Sequence, residues 1–380
     1  LAGVELLAEI LRAAPGVQIL ATSREQLQLR GEHVLSVGGL DYADPEASRR
    51  LPDAAAMDTY LAASPAFQLF LESARRVQPG LALAPEDLSV MLEICRRVDG
   101  LPLALELAAS WADTLSLDEI LVETRQSLGF LQAEWRDAPE RQRSMRAVFD
   151  VSWRRLTEAE QAAFSQLSVF RGGFTREAAA QAVMGTEAAP RLLAALVRKS
   201  FLQHDQASHR YQIHELLRQY GAEKLASDPA AEVAACDQHS RYYCDWLGQA
   251  GEGLKDTAPQ AVWDAIQADI ENMRAACLWA ASHGQADRVL QAADTLGWFY
   301  YLGYGNYQQG ENTLHRLRQA LAEAESGPSP ASTAAQRAAI RTLAWQATMW
   351  SLLGDFEASW RLIHEAQALL DGPVLVGQDT

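Results

Sequence analysis

The chain has 380 residues, enough for two or three domains that each bury a core of their own. Its formal net charge of −16 and pI near 5.0 argue against a surface given over to phosphate backbones, because nucleic-acid affinity comes largely from clustered Lys and Arg that displace counterions. Four cysteines, Cys95, Cys236, Cys244 and Cys277, stand without CxxC spacing, which fits a reducing compartment, and no apolar run approaches the ~20 residues that cross a bilayer.

The chain opens without methionine, already inside an amphipathic pattern. Val4, Leu7, Ile10 and Leu11 share one face of a helix over residues 4–13, so the sequence reads as a fragment of something longer. Glu5, Glu9 and Arg12 interrupt the apolar core that a signal peptide needs, which points to a soluble, cytoplasmic protein. Pro15 and Gly16 break the helix. The apolar run at 17–21, followed by Thr22, Ser23 and Arg24, predicts a buried parallel strand whose polar triplet lies at the carboxyl end, the edge where α/β folds place ligands. A second short strand is expected over 34–37. Residues 40–66, with Pro45, Pro52 and Pro65, show no sustained period and read as a connector that leaves room for a short helix.

Ser64 and Pro65 predict the start of a helix through Phe67, Leu69, Phe70 and Arg75. Pro85, Glu86 and Asp87 predict another through Leu88, Met91 and Cys95. In Asp99-Gly100-Leu101-Pro102 a glycine ends one helix and a first-turn proline starts the next, which is nearly all apolar and must be buried. Short helices follow at 143–156, 157–170, 175–184 and 190–199, with Thr157 and Glu160 spaced as a capping box. Strands at 201–204 and 210–213 flank a polar turn, and His214 begins a helix running to about 226. Helices followed by a hairpin is the order of a winged-helix domain. Beyond 228 the pattern is helix pairs: Gly305-Asn306-Tyr307-Gln308-Gln309-Gly310 is echoed by Gly354-Asp355-Phe356-Glu357-Ala358-Ser359, each the second half of a tetratricopeptide-like (TPR-like) unit. The loop at 327–330 absorbs the extra spacing. Trp298, Phe299, Tyr300, Tyr301, Trp345 and Trp350 stand in the matching first helices, where such aromatics fill the space between helices or line a groove.

Five blocks carry a resemblance: VQILATSRE at 17–25, RVDGLPLALELAA at 97–109, LSVFRGGF at 167–174, QIHELLRQYGAEKL at 212–225 and ADIENMRAACLWA at 268–280. In order and spacing they resemble the consecutive blocks of bacterial STAND regulators, the LuxR/AfsR-like signalling ATPases that share the NB-ARC module. The resemblance covers essentially the whole chain. It implies a mainly α fold in four parts. These are the C-terminal remnant of a P-loop NTPase α/β domain at 1–45, a helical lid domain at 56–138, a winged-helix domain at 139–228 and a TPR-like α-solenoid at 232–380. It further implies nucleotide-sensing roles for Thr22, Ser23 and Arg24 as the sensor triplet, for Gly100 and Pro102 beside the adenine, and for His214 as the histidine of an MHD-like motif that contacts ADP and holds the closed state. Ile213 and Glu215 stand where that motif has Met and Asp. The chemistry agrees, since an always-charged planar donor suits phosphate oxygens and a proline-led helix start leaves amides free. Each residue also has a plainer reading: Arg24 in a surface ion pair, Pro102 as an ordinary helix start, His214 as a helix cap.

No GxxxxGK[ST] occurs, and none of the three lysines, Lys199, Lys224 and Lys255, follows a glycine-rich loop, so the phosphate cradle and its Mg²⁺-holding hydroxyl are missing. The relatives carry those motifs upstream. No catalytic residue and no ATP hydrolysis are expected of this chain alone. ADP or ATP with Mg²⁺ is expected only in a complete protein, and none firmly held here. Cys236, His239 and Cys244 share a helical face without a fourth ligand, so no metal is expected. The implied function is a nucleotide-controlled switch, a transcriptional regulator, with an inducer or partner protein on the repeats, self-assembly on activation, no direct nucleic-acid contact and no membrane. The alternatives are a nucleotide-independent TPR scaffold and a DNA-binding winged helix. Against the latter, the 190–199 helix offers only Arg191, Arg198 and Lys199 beside Leu192, Leu193, Leu196 and Val197.

Overall fold

The computed structural model describes residues 4–14, 16–23, 25–35, 37–48, 54–81, 83–126, 128–133, 144–257, 260–302, 306–324 and 332–371. Helices start where a first-turn proline or a capping side chain offers itself. After α1 (Val4–Ala13), α2 (Pro45–Ser48) and α3 (Ala54–Ala62), the Ser64 hydroxyl accepts the Phe67 amide to cap α4 (Pro65–Val77). Asp87 reaches back to the Ala84 amide at 2.8 Å at the start of α5 (Pro85–Arg97). Pro102 opens α6 (Pro102–Ala109), and α7 (Leu117–Gln126) and α8 (Met145–Trp153) follow. α9 (Glu158–Leu167) has the expected capping box, with the Thr157 amide donating to Glu160 at 2.7 Å and the Glu160 amide to Thr157 Oγ1 at 3.3 Å.

Then come β1 (Phe174–Thr175), α10 (Arg176–Ala179), which runs into a π-helical turn (Ala180–Met184), α11 (Ala189–Arg198), β2 (Gln203–Asp205), β3 (Arg210–Gln212) and α12 (Glu215–Ala226). The strands form one sheet in the order β1-β3-β2, with β1 antiparallel to β3 and Phe174 opposite Tyr211. Among the described residues six long helices follow: α13 (Pro229–Thr257), α14 (Gln260–Ser282), α15 (Ala286–Leu302), α16 (Tyr307–Ala324), α17 (Thr333–Leu352) and α18 (Phe356–Leu370). The fold is mainly α. Among the described residues no helix is long and apolar enough to cross a membrane.

Two expected elements are corrected. Residues 17–21 and the described residues of 34–37 form no strand; Leu20 is 97% exposed, and Val17, Ile19, Val34, Leu35 and Val37 are also exposed. A buried parallel strand needs hydrogen-bonded neighbours on the sheet and helices over its faces. Among the described residues the named strands are β1, β2 and β3, and none pairs with these runs. α1 forms over the expected residues but buries none of them.

The chain divides into two compact units. The first comprises Leu1–Ser168, Arg191–His204 and Ile213–Lys224. Its core joins Phe67 and Phe70 of α4, Met91 and Ile94 of α5 and Leu105 and Leu107 of α6 to Phe149 of α8 and to Leu216 and Tyr220 of α12. The Tyr220 ring meets Phe149 and Trp153 edge-on at 5.7 and 5.6 Å, and its hydroxyl donates to Asp150 at 2.6 Å. α12 therefore enters the same core as α5 and α6.

The second unit comprises Val169–Pro190, Asp205–Gln212 and Leu225–Thr380. Its Phe170-to-Phe174 turn folds back so that Phe170 stacks on Phe174 at 4.5 Å and Phe174 on Tyr211 at 5.9 Å. Gly173, at φ 94°, lets the turn close, since a Cβ there would stand 2.9 Å from the Tyr211 carbonyl oxygen. Asn272 of α14 holds the turn, its Oδ1 accepting the Arg171 amide at 2.6 Å and its Nδ2 donating to the Gly173 carbonyl at 2.8 Å. Asp269, one helical turn away, accepts both Arg210 nitrogens at 2.7 and 3.1 Å.

His239 is buried against Phe170 and Tyr243, with ring centroids 5.0 and 4.9 Å away. Burial, with help from the Arg171 charge, pushes its pKa down to about 4, against the Asn272 hydrogen bond and the Asp269 charge. The folded pKa lies below the ordinary 6.5, so the stabilisation is whole above that pH and is lost as pH falls toward 4, where the unfolded chain takes the proton first. We expect His239 to withdraw about 3 kcal/mol from this unit between pH 7 and 4. Denaturation at several pH values should show a flatter profile for His239→Gln than for the wild type; equal profiles would refute the assignment.

In the stack, α13 packs on α14 and α15, α14 on α16, α15 on α17 and α17 on α18, the pattern of a helical solenoid. Small residues set the close approaches: a Cβ on Gly297 would stand 2.1 Å from the Trp345 ring, whose Nε1 donates to Asp294 at 2.9 Å. Phe299 and Tyr300 are buried between helices, and Trp298 meets Trp345 edge-on at 5.2 Å. The second repeat signal leads into α18 as expected; Gly305 of the first and the loop at 327–330 lie outside the described residues.

Candidate functional site

Within the first unit, the end of α5 and the start of α12 meet. α5 stops in a Schellman motif: the Gly100 amide donates to the Cys95 carbonyl at 3.0 Å and the Asp99 amide to the Arg96 carbonyl at 3.1 Å. Both residues are left-handed, Asp99 at φ 52° and Gly100 at φ 62°. Glycine is required at the second place because a Cβ there would lie 2.0 Å from the Leu40 carbonyl oxygen. The connector is clasped against this turn, with the Leu40 amide donating to the Gly100 carbonyl at 2.8 Å and the Tyr42 hydroxyl to Asp99 Oδ1 at 3.0 Å. Leu101 and Pro102 then open α6, with Pro102 exposed.

His214 stands before α12 and accepts the Leu216 amide on Nδ1 at 3.1 Å, so it does cap the helix. That contact puts the proton of the neutral ring on Nε2. Nε2 lies 3.5 Å from Asp99 Oδ2 and is buried without a hydrogen-bond partner; the side chain is 10% exposed. Burial holds the His214 pKa below its ordinary value, against the charges of Asp99 and Glu215 and the Val98 backbone.

Glu215 continues the junction. Burial raises its pKa, but the two Arg218 bonds at 2.8 Å and the charge of Arg97, 3.4 Å away, outweigh this and hold the carboxyl below the usual range. Burial lowers the Arg97 pKa, and its Nε is a second buried donor without a partner. The junction thus holds two buried N–H groups without a hydrogen bond, Nε2 of His214, which faces Asp99 Oδ2 at 3.5 Å, and Nε of Arg97, whose guanidinium faces Glu215 at 3.4 Å.

Of the expected sensing residues, the structure brings the Gly100 turn, leading into Pro102, together with His214. Thr22 and Ser23 lie on exposed chain, the Ser23 hydroxyl accepting the Glu25 amide at 3.1 Å, and Arg24 lies outside the described residues. Sequence reasoning did not single out Asp99, Arg97, Glu215 or Tyr42 as site residues. The Asp-Gly pair at a helix end was the available signal for Asp99. Among the described residues no group of three His, Cys, Asp or Glu could hold a metal ion.

Comparison with known proteins finds relatives over most of the chain. "Putative HTH-type transcriptional regulator Rv0890c" of Mycobacterium tuberculosis is 34% identical over 302 residues, 77% of this chain and 32% of the relative. Mb0914c of Mycobacterium bovis, which carries the same name, matches equally. "Uncharacterized protein Rv0894" of M. tuberculosis is 31% identical over 233 residues, 59% of this chain and 54% of the relative. No protein-family model matches, and no solved structure matches. The chain spans about a third of the length of the regulators to which it is similar.

Proposed function

We propose that this chain is the nucleotide-reading and partner-binding portion of a transcriptional regulator of the STAND type, with a helical lid, a winged helix and TPR-like repeats. The observation that carries the reading is the junction of Asp99 and Gly100 with His214 and Glu215, where Nε2 of His214 is buried 3.5 Å from Asp99 Oδ2 without a hydrogen bond. The five sequence blocks and the similarity to proteins named as HTH-type transcriptional regulators support it. ADP, or ATP with Mg²⁺, is held in a complete protein largely by a phosphate loop that this sequence lacks, with Pro102 beside the base, Arg24 and His214 toward the phosphates. With ADP bound, α12 rests on the end of α5. Exchange for ATP, or an inducer or partner protein on the repeats, releases it and permits self-assembly, which requires that each ligand bind the two states with different affinity.

The test is made in a complete regulator containing this chain. It is expected to purify with ADP, and His214→Ala is expected to raise basal transcription about fivefold, since losing a hydrogen bond from Nε2 to the nucleotide, made in the closed state alone and worth about 1 kcal/mol, shifts a two-state balance by that factor. Nucleotide-free protein whose output is unchanged in the variant would sink the reading in favour of a nucleotide-independent scaffold.

The names of the relatives also favour DNA as a partner, but not through this segment. The exposed positions of α11 include Arg191 and Arg198 beside Pro190 and Ala194, a poor face for base readout. We expect no mobility shift of duplex DNA by the 380-residue protein at physiological salt. A salt-sensitive complex would promote the DNA-binding winged helix instead.

A further inference from the structure

Asp99 answers to two elements at once. Its Oδ1 accepts the Tyr42 hydroxyl at 3.0 Å, and its Oδ2 faces Nε2 of His214 at 3.5 Å. The first bond is made: burial and then the Asp99 charge raise the Tyr42 pKa against the Arg96 charge, so the phenol keeps its proton and donates it. The second is not, since Nε2 lies buried without a hydrogen bond. Good N–H···O bonds end near ~3.2 Å, so the carboxylate stands about 0.3 Å too far from His214.

Backbone bonds hold Tyr42 where it is. The Leu40 amide donates to the Gly100 carbonyl at 2.8 Å, the Ala66 amide to the Asp41 carbonyl at 3.1 Å and the Ala43 amide to the Ser64 hydroxyl at 3.2 Å, tying the connector to the turn after α5 and to the start of α4. His214 belongs to α12, whose Leu216 amide its Nδ1 accepts. Asp99 thus stands between the connector and α12. Its side chain is 46% exposed and has room to turn, whereas that of His214, at 10%, is confined. Two acids face the ring, together with the Val98 backbone. Glu215 is held by Arg218 and Arg97, with the Arg125 charge nearby, while Asp99 is held by a neutral phenol, a weaker grip than a guanidinium.

We infer that Asp99 is the positioning residue of this junction and Tyr42 its latch: with the connector in place Tyr42 draws the carboxylate off His214 and leaves Nε2 open to a ligand, and with the connector lifted Asp99 turns, bonds Nε2 and takes that donor out of use. What this does to ADP rests on the nucleotide reading, in which the connector, following residues 22–24 along the chain, decides whether His214 is free. The geometry itself is tested without nucleotide, so the two fail separately.

The test uses the 380-residue protein with isotope-labelled histidine and follows the His214 ring nitrogens against pH by NMR, assigned as the pair of signals missing from His214→Asn. Tyr42→Phe keeps the ring, and Asp99→Asn keeps the side-chain shape and tolerates the left-handed backbone, so both variants are expected to fold. Tyr42→Phe is expected to raise the proton affinity of His214 about threefold, because the freed carboxylate closes on the ring. Asp99→Asn is expected to lower it about threefold, a modest change because the carboxylate is half-exposed and partly screened. In the double variant Tyr42→Phe adds nothing to the effect of Asp99→Asn. An unchanged affinity in Tyr42→Phe alone, or the same rise with and without Asp99→Asn, would overturn the assignment.

Discussion

Replacing Asp269 by alanine is expected to destabilise the second unit by about 4 kcal/mol, because one carboxylate serves three partners, one of them a mostly buried guanidinium. It accepts two bonds from Arg210, one from the Tyr243 hydroxyl at 3.2 Å and one from Asn272 Nδ2 at 2.9 Å. The Arg210 and Asp269 side chains are each only 14% exposed. Removing the acid leaves a mostly buried guanidinium without its counter-charge, holding only the Ala268 carbonyl at 3.2 Å, and that uncompensated charge makes the cost larger than any surface ion pair contributes. It also frees the side chain that orients Asn272, and with it the turn from Phe170 to Phe174. Urea denaturation followed by tryptophan fluorescence checks the claim, with the transitions of the two units fitted separately. A loss under about 1 kcal/mol would mean that water replaces the carboxylate.

Gly100→Ala is expected to cost the first unit about 3 kcal/mol. A left-handed alanine costs about 1 kcal/mol, and its Cβ would meet backbone, the Leu40 carbonyl oxygen, rather than a side chain able to swing away. The connector must then withdraw and give up the bond between Leu40 and Gly100, worth about 1 kcal/mol more. Gly80→Ala is the control: nothing lies within 4 Å of a Cβ there, and the change should stay within about 0.5 kcal/mol. Equal midpoints for the two variants in chemical denaturation would show that the turn is not held as described.

The helices were legible because their punctuation is local. Pro65, Pro85 and Pro102 each open a helix, the Thr157 and Glu160 box forms as spaced, and the hairpin falls within two residues of its expected ends. The runs at 17–21 and 34–37 misled because an apolar string states a strand's preference but not its neighbours, and the described residues supply none. At the site, Gly100, Pro102 and His214 were reachable through resemblance. Asp99 and Arg97 lie in the quoted block at 97–109, but their partners His214 and Glu215 lie more than a hundred residues away, and contacts at that separation leave no spacing to read. The same holds for Asp269 and Asn272, which lie in one block and hold Arg210 of β3 and the turn residues Arg171 and Gly173 of another block. The cap made by His214 shows why one residue supported two readings: Nδ1 serves the helix and leaves Nε2 facing the junction.

That division allows the central claim to be tested by one measurement, the rate at which bound ADP leaves a complete regulator carrying His214, His214→Ala or His214→Asn. Asparagine is among the best helix caps, so it restores the bond to Leu216 while removing the Nε2 donor. Both variants are expected to release ADP several-fold faster than the wild type. Release from His214→Asn at the wild-type rate would contradict it and leave His214 as a helix cap alone.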